Sequence, residues 1–275
     1  PCTPPFRGLY TYIENTTSIE NTTRQILMGK NNLIFGMHPL IEALEAGREI
    51  DKILLKRGLR SGEVSRIMAL AEERMIPIQF VPEERLMRLT RKQHQGVIAF
   101  ISEIEYTSLE QLIPLLYEQG RSPFFVLLDG LTDVRNFGAI ARTAECAGVD
   151  ALIIPERGSV SVTADAVKTS AGALHRIPVC RVSSIGAAVT ILQENGVRIV
   201  AASEKATDVY TQSTLSLPLG LVLGAEDHGV STEVLRRADQ IVRIPQAGAI
   251  GSLNVSVAGG ILIYEVVRQE SLLEH

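Results

Sequence analysis

The segment that follows the first 29 residues alternates short apolar runs with stretches of helical periodicity. The apolar runs lie at 32–35, 51–55, 76–81 and 96–101, and amphipathic stretches such as HPLIEALEAG and SGEVSRIMALAEER lie between them. Short apolar runs between polar segments are typical of buried strands, and a period near 3.6 residues is typical of helices. This pattern predicts a small α/β domain over residues 30–103.

A second series of apolar runs begins with FFVLLD at 124–129. A continuous run of this kind is typical of a parallel strand that is buried on both faces. Further runs lie at 151–155, 177–182, 197–202, 220–224 and 240–245. Helical stretches lie between most of them, and a repeating β–α order predicts a parallel sheet. Ligands of such sheets bind beyond the carboxyl ends of the strands, so the loops after residues 129, 224 and 245 are the first candidates for a site.

Two segments fall outside these patterns. Residues 1–29 contain a short duplication, IENTTS followed by IENTTR, and little apolar periodicity, so we expect a disordered leader or a non-native extension, with Met28 as a candidate natural start. Residues 104–122 contain the helical stretch SLEQLIPLLYEQ, which we expect Pro114 to break, and we interpret them as a linker. Residues 123–273 then form the second domain.

The composition is that of an ordinary globular protein, with 45% hydrophobic and 21% charged residues in a chain of 275. No apolar run reaches the roughly 18 to 20 residues that a membrane-spanning helix needs, so we predict no membrane partner. Cys2, Cys146 and Cys180 are odd in number and widely spaced. They form neither a disulfide framework nor a metal-ligand pair, which predicts a cytoplasmic protein without a metal site.

The net charge of −4 is unevenly distributed. Residues 30–103 hold 12 Lys and Arg against 10 Asp and Glu (+2), whereas residues 123–275 hold 12 against 16 (−4). The first domain has two basic clusters: Lys52, Lys56, Arg57 and Arg60, and then Arg85, Arg88, Arg91 and Lys92. A basic patch attracts polyanions such as RNA. Solvated faces with acidic neighbours account for the same clusters, so charge alone does not identify an RNA-binding protein.

The loop after residue 129 leads into a helix that Asn136 is placed to cap and that Gly148 is placed to end. Free N–H groups at the start of that helix would suit an RNA phosphate. Arg142 stands among apolar neighbours, so its guanidinium must reach solvent or bind an anion. A cap and a surface arginine are the simpler interpretation of these two residues.

The second loop, LGAEDHG, places Glu226 directly after a strand end, between Gly224 and Gly229. Glycines allow a close approach of the backbone, and His228 is either an acid–base group or simply exposed. Two glycines around a polar turn are common, so this loop alone does not identify a site.

The third loop, IPQAGAIGSLNVSVAGG (244–260), supports two structural interpretations. LNVSV alternates like a strand, whereas Leu253, Val257, Ile261 and Tyr264 recur at helical spacing, and Ser252 is then a candidate cap for a helix that begins at Leu253. The chain has no dinucleotide fingerprint, no phosphate loop and no nucleophile elbow that would make this serine a hydrolase nucleophile.

Taken in order, the three loops resemble a known family. N-F-G-A-I-A-R (136–142), L-G-A-E-D-H-G (223–229) and I-P-…-G-S-L-N-V-S-V-A (244–258) resemble the three signature motifs of the SpoU-type, or TrmH-like, RNA ribose 2′-O-methyltransferases. The resemblance covers essentially all of residues 123–270. FGMHPLIEAL (35–44) is similar to the opening of the L30e-like substrate-binding domain in the branch that modifies a guanosine of 23S ribosomal RNA.

This resemblance implies a catalytic domain with a deep trefoil knot, bound S-adenosylmethionine (SAM), a homodimer and ribosomal RNA, 23S above all, as substrate. The family's functional positions fall on Asn136, Arg142, Glu226, Ser252 and Asn254, and its cofactor-binding backbone falls around Gly224, Ile244 and Leu253. Gln246 stands where these proteins often have methionine. The resemblance also places LNVSV at the start of the last helix. Methylation of transfer RNA, and a non-catalytic ribosome-assembly factor on the same fold, are the alternatives.

Overall fold

The computed structural model of the protein describes residues 33–90, 93–249 and 251–273. The predicted leader, residues 1–29, lies outside the described residues, as do Arg91 and Lys92 of the second basic cluster. The described chain forms two sheets with helices packed on their faces, so the predicted α/β class is confirmed. None of the helices in these ranges is long and apolar enough to cross a membrane.

Residues 33–101 fold around a mixed four-stranded sheet. Its elements are β1 (Leu33–Phe35), α1 (Met37–Glu45), β2 (Ile50–Lys56), α2 (Gly62–Glu73), β3 (Ile78–Val81), α3 (Glu83–Leu89) and β4 (Val97–Ile101). The strands lie in the order β1–β4–β2–β3. Because side chains alternate along a strand, Ile53 and Leu55 of β2 pack against α1 and α2, whereas Leu54 packs against Leu86 of α3.

The rest of the chain builds an eight-stranded sheet. Its elements are β5 (Tyr106–Thr107), α4 (Leu109–Glu118), β6 (Phe124–Asp129), α5 (Val134–Cys146), β7 (Ala151–Pro155), α6 (Ala164–Thr169), β8 (Val179–Val182), α7 (Ile185–Glu194), β9 (Arg198–Ala202), β10 (Asp208–Val209), β11 (Leu219–Gly224), α8 (Thr232–Arg237), β12 (Gln240–Arg243) and α9 (Val255–Leu273). The strands lie in the order β10–β12–β9–β11–β6–β7–β8–β5, and every neighbouring pair is parallel. The predicted parallel sheet is confirmed.

Both faces of this sheet are covered, which explains the continuous apolar runs. Val126 and Leu128 of β6 face the core formed with α5 and α9. Phe125 and Leu127 face the opposite core, formed with α4 and α7. A strand between two helical layers buries the side chains on both of its faces, so apolar residues do not alternate with polar ones and the sequence is apolar throughout.

Most of the segment predicted as a linker, residues 104–122, packs with the second sheet. β5 pairs with β8, and Leu112, Ile113 and Leu116 of α4 are buried against that sheet. The prediction that Pro114 breaks this helix is wrong, because α4 continues through it. Burying three such side chains contributes roughly 1.5 to 3 kcal/mol each, which outweighs the roughly 3 kcal/mol cost of an interior proline.

The last helix settles the two interpretations of LNVSV. α9 begins at Val255, so this segment is a helix start and not a strand. The candidate cap at Ser252 is wrong, because Asn254 accepts the Ala258 N–H on its carbonyl at 2.9 Å and the Ser256 N–H on Oδ1 at 3.0 Å. Further along, a Cβ added to Gly259 would lie 2.8 Å from Leu223 Cδ1, so a larger residue there would require the Leu223 side chain to move.

Candidate active site

Polar loops meet at the carboxyl ends of neighbouring strands in the second sheet. β6 and β11 are adjacent, and Asp129 and Gly224 pair at their ends. The carboxylate of Asp129 accepts the Ser231 N–H at 2.7 Å, which ties the first loop to the end of the second. The third loop follows β12 and leads into α9. The three loops singled out in the sequence therefore lie together.

Asn136, Glu226 and Asn254 form one hydrogen-bonded cluster, with one residue from each of the three loops. Glu226 Oε1 accepts from Asn136 Nδ2 at 2.8 Å and from Asn254 Nδ2 at 2.5 Å. Asn254 Nδ2 also donates to Asn136 Oδ1 at 3.1 Å. A carboxylate acceptor makes stronger hydrogen bonds than a neutral one, so Glu226 fixes both amides in one orientation. Glu226 and Asn254 are exposed, and the cluster therefore lies open to a ligand.

The start of α5 differs from the sequence prediction. The cap is Asp133, whose Oδ1 accepts from Arg135 N at 2.8 Å and from Asn136 N at 3.0 Å. These bonds, with that from Asn136 first, lower the pKa of the Asp133 carboxyl. Asn136 is the third helical residue, too late to cap, so its side chain is left for the cluster. Two N–H groups that we expected to bind an RNA phosphate are instead occupied by a carboxylate.

Arg142 lies two turns further along α5, and its side chain reaches solvent. Among the described residues it makes no hydrogen bond or ion pair, so its guanidinium is available to an anion. It is six positions from Asn136, which places the two about 120° apart around the helix axis. Asn136 bonds to Glu226 and Asn254 and not to Arg142, and the structure does not bring Arg142 into the cluster within this chain.

A cavity of about 440 Å³ opens beside the cluster. The predicted cofactor-binding residues Gly224, Ile244 and Leu253 line it, together with Glu226 and Ser252. Sequence reasoning missed a further group, Ser203, Glu204 and Lys205, which follows β9 and lines the same cavity. The sequence pattern could have indicated this group, because β9 ends at the same edge of the sheet as β11 and β12 and the loop after it is therefore a candidate as well.

Gly224 allows the second loop to fold back over the end of its strand. A Cβ at this position would lie 2.1 Å from both Gly229 C and Val230 N. Gly229, at a φ of 69°, closes the turn and donates its N–H to Ala225 O at 2.9 Å. The loop therefore presents its backbone to the cavity. His228 is exposed and contacts Asp227 Oδ1 at 2.6 Å, outside the cluster.

The cavity suits a nucleoside-sized ligand. Its volume lies within the roughly 300 to 1,000 Å³ that small-molecule sites span, and apolar side chains such as Leu223, Val242 and Leu262 form its floor. Within the described parts of the chain, no group of three or more His, Cys, Asp or Glu residues is placed to hold a metal ion.

Comparison with known proteins identifies two matching family descriptions. The SpoU rRNA Methylase family matches residues 123–264, and the family described as RNA 2′-O ribose methyltransferase substrate binding matches residues 33–107. The chain is also 36% identical over 241 residues to a protein of Staphylococcus saprophyticus named as a TrmH family tRNA/rRNA methyltransferase. That alignment covers 88% of this chain and 97% of the relative.

Two solved structures with a bound cofactor resemble the chain over most of its length. The AdoMet-bound rRNA methyltransferase of Sinorhizobium meliloti is 27% identical, with a TM-score of 0.55 over 86% of each chain. The SpoU methyltransferase AviRb of Streptomyces viridochromogenes, in complex with AdoMet, is 25% identical, with a TM-score of 0.56 over 92% of this chain and 98% of its own.

Proposed function

This chain belongs to the SpoU rRNA methylase family, and from that membership we propose that it methylates a ribose 2′-hydroxyl of ribosomal RNA, at a guanosine of 23S ribosomal RNA. It is an RNA 2′-O-ribose methyltransferase of the TrmH and SpoU type. The observation that carries the proposal is the Asn136–Glu226–Asn254 cluster at the mouth of the 440 Å³ cavity.

The cofactor is SAM, the compound named AdoMet in the two related structures that contain it. When bound, SAM supplies a methyl group that is already strongly electrophilic. The backbone around Gly224, Ile244 and Leu253 would hold it, because these residues line a cavity of suitable size. The close approach of the Gly224 backbone to the loop that follows it leaves no room for a side chain.

The residues of this chain must align and activate the other reactant. A ribose hydroxyl is a poor nucleophile at neutral pH, so it has to be held in line and relieved of its proton. We assign Ser252 and Asn254 to positioning the ribose and the cofactor. Glu226, which accepts from both amides, holds Asn136 and Asn254 in the orientation this requires.

Arg142 stabilises negative charge in this proposal. An arginine stays protonated and binds phosphate through two parallel hydrogen bonds. Its exposed side chain suits the phosphate next to the reacting ribose, where it also stabilises the charge that develops on the oxygen.

Arg142→Ala tests this assignment. We expect methyl transfer to fall by on the order of 100-fold or more, because one preorganised charge partner of the transition state is lost. The SAM dissociation constant, measured by calorimetric titration, should stay close to the wild-type value. Arg236→Ala, at another exposed arginine of the same domain, is the control. Near-normal turnover of the Arg142 variant would refute the assignment.

We propose that the first domain binds the RNA. The side chains of Arg60, Arg85 and Arg88 are exposed and have no ion-pair partner within the described residues. Lys56 is paired with Glu83 at 2.5 Å, and Lys52 contacts Ser161, so these two members of the first basic cluster are less available. Phosphate contacts dominate RNA affinity, and the acidic second domain supplies few of them.

Charge reversal tests this division of labour. Arg85→Glu with Arg88→Glu should weaken RNA binding and flatten its dependence on salt, since each lost phosphate contact lowers the slope by about 0.7 to 0.9. Arg236→Glu in the second domain is the control. Equal RNA affinities of the double variant and the control at several salt concentrations would contradict the proposal.

We also propose the homodimer that the resemblance implies. Val257, Tyr264 and Leu272 on α9, with Leu253 before it, leave 37% to 63% of their surface exposed, which is unusual for apolar side chains at helical spacing. Val257→Glu should shift the mass in light scattering from dimer to monomer, whereas Met68→Glu in the first domain should not. A dimeric Val257 variant would contradict the proposal. The trefoil knot and the cytoplasmic location stay predictions.

Transfer RNA is the alternative substrate, because the relative from Staphylococcus saprophyticus is named as a tRNA/rRNA methyltransferase. The substrate-binding domain at residues 33–107 favours the larger RNA. The complete Asn136–Glu226–Asn254 cluster favours an enzyme over a non-catalytic assembly factor. Parallel methylation assays on purified ribosomal and transfer RNA separate these possibilities.

A further inference from the structure

A buried polar cluster joins the two sheets. It consists of Asp51 on β2 of the first domain, and Tyr106 on β5 and Arg181 on β8 of the second. The side chains of Arg181 and Asp51 are only 5% and 3% exposed. Charged side chains are almost never buried so fully unless they are paired.

The partners of Asp51 come from three separate segments of the second domain. Its Oδ1 accepts from Tyr106 OH at 3.0 Å, from Val162 N at 3.1 Å and from Arg181 Nη2 at 3.4 Å. Arg181 Nη1 also donates to Ile50 O at 3.2 Å, next to Asp51. The first domain therefore accepts four hydrogen bonds here, all of them donated by the second domain.

Further contacts orient the members of the cluster. The Arg181 guanidinium stacks on the Tyr106 ring at 3.6 Å from its centroid. Burial raises the pKa of the Tyr106 hydroxyl, which stays neutral and donates to Asp51. At the rim, Lys52 Nζ donates to Ser161 Oγ at 3.0 Å. A small shift of one domain against the other would remove these partners while the charges stayed buried, which is costly.

The covalent connection between the domains is short, because only residues 102–105 separate β4 from β5. It is bound at both ends, since Ser102 N donates to Glu49 O of the first domain and Ile104 is buried in the core of the second. The polar cluster adds buried side-chain contacts to this connection. The cluster is also remote from the cavity, because β8 is the third strand from β11 in the sheet, roughly 14 Å away at the usual strand spacing.

We propose that Asp51, Tyr106 and Arg181 are positioning residues that lock the RNA-binding domain in one orientation on the catalytic domain, and so determine which nucleotide of a docked RNA reaches the methyl donor. This inference rests on the proposed function. A displacement of about 1 Å at a reacting centre can lower a rate by on the order of 100-fold. The contacts of Asp51, Tyr106 and Arg181 between the domains, called the joint below, therefore set both the rate of methylation and the nucleotide that is methylated.

The test uses the full chain and ribosomal RNA from cells that lack the protein. Arg181→Met should keep the SAM dissociation constant within about twofold of wild type, while kcat/KM for the RNA falls by on the order of 10- to 100-fold. Mapping of 2′-O-methyl groups should show methylation spread to neighbouring nucleotides. Arg198→Met, which removes an arginine bonded only within the second domain, should match wild type in all three measurements.

Tyr106→Phe and Asp51→Asn keep the inference falsifiable if Arg181→Met does not fold. Each removes part of the joint with little change of shape, and their effects on kcat/KM should be non-additive in the double variant. Wild-type kcat/KM and a single methylated site in Tyr106→Phe, Asp51→Asn and their double variant would overturn the inference.

A distance measurement separates this inference from the proposed function. Spin labels at Glu73 and Glu194, both exposed and one in each domain, report the spread of interdomain distances without any activity. The joint predicts a narrow distribution in wild type and a broader one in Arg181→Met and Tyr106→Phe. If wild type does not methylate RNA but its distribution broadens in these variants, the proposed function fails and the joint stands. An active wild type with unchanged distributions in the variants overturns the joint alone.

Discussion

Replacing Gly224 by alanine tests the claim that the end of β11 approaches the following loop too closely for any side chain. The added Cβ would lie 2.1 Å from Gly229 C and from Val230 N, and 2.5 Å from Gly229 O. All three are backbone atoms, so no side-chain rotation relieves the overlap. The loop over residues 225–230 must move as a unit, and this loop carries Glu226 and borders the cavity.

The size of the effect follows from these distances. Ordinary contact begins near 3.4 Å, so the loop must move by about 3.4 − 2.1 = 1.3 Å. Overpacking in a well-packed region costs about 1 to 3 kcal/mol. If that cost falls on the conformation that binds the cofactor, SAM affinity drops roughly 5- to 140-fold at about 1.4 kcal/mol per factor of ten.

Calorimetric titration with SAM measures this loss, and thermal unfolding of the same samples shows whether the fold survives. Gly248→Ala is the matched control, because a Cβ at Gly248 meets no atom within 4 Å. We expect the control to bind SAM like wild type. Wild-type SAM affinity in Gly224→Ala would refute the account of this loop as a cofactor-binding backbone.

Three further substitutions test other parts of the structure. Glu226→Ala removes the acceptor shared by two amides and should lower kcat by about 100-fold in a methyl-transfer assay. Asp227→Ala, at the neighbouring exposed carboxylate, is the control and should leave kcat unchanged. Equal kcat values for the two variants would contradict the role of the cluster. Gly138→Ala places a Cβ 2.7 Å from Thr169 Cβ and should lower the unfolding midpoint in calorimetry by about 2 to 10 °C, so an unchanged midpoint would contradict the close packing of α5. Hydrogen bonds from Arg268 and Gln269 lower the pKa of Glu265, so this carboxylate contributes stability above its ordinary pKa that is lost as the pH falls through the lowered pKa. Glu265→Gln should therefore reduce the free energy of unfolding, measured in urea, at neutral pH and hardly at all in acid. An equal reduction at neutral and acid pH would contradict the stabilising role of the Glu265 carboxylate.

The hydrophobic pattern predicted the strands better than the ends of the helices. β6 and β7 have the bounds that the apolar runs predicted, because strands buried on both faces carry an uninterrupted apolar signal. Pro114 and the cap of α5 were misjudged, because each depends on a local competition that apolar periodicity does not show. Tertiary burial outweighed the proline, and Asp133 captured the N–H groups assigned to Asn136.

The Asn136–Glu226–Asn254 cluster could not be found from the spacing of its residues in the sequence. Asn136 and Asn254 are 118 residues apart, and only the order of the strands brings their loops together. The resemblance supplied both residues and the structure supplied their contacts, including the role of Glu226 as the shared acceptor. Asp51 and Arg181, 130 residues apart, had no signal in the sequence, because a buried charged pair between domains looks like two surface charges until the fold is known.

Methyl transfer from SAM with a deuterated methyl group tests the central claim most directly. The protein is incubated with this SAM and with ribosomal and transfer RNA from cells that lack the protein. The nucleosides of each RNA are then separated, and their masses are determined by mass spectrometry. We expect the labelled methyl group in 2′-O-methylguanosine from large-subunit ribosomal RNA alone. Label on a base, or no label in any RNA, would contradict ribose methylation as the function of this protein.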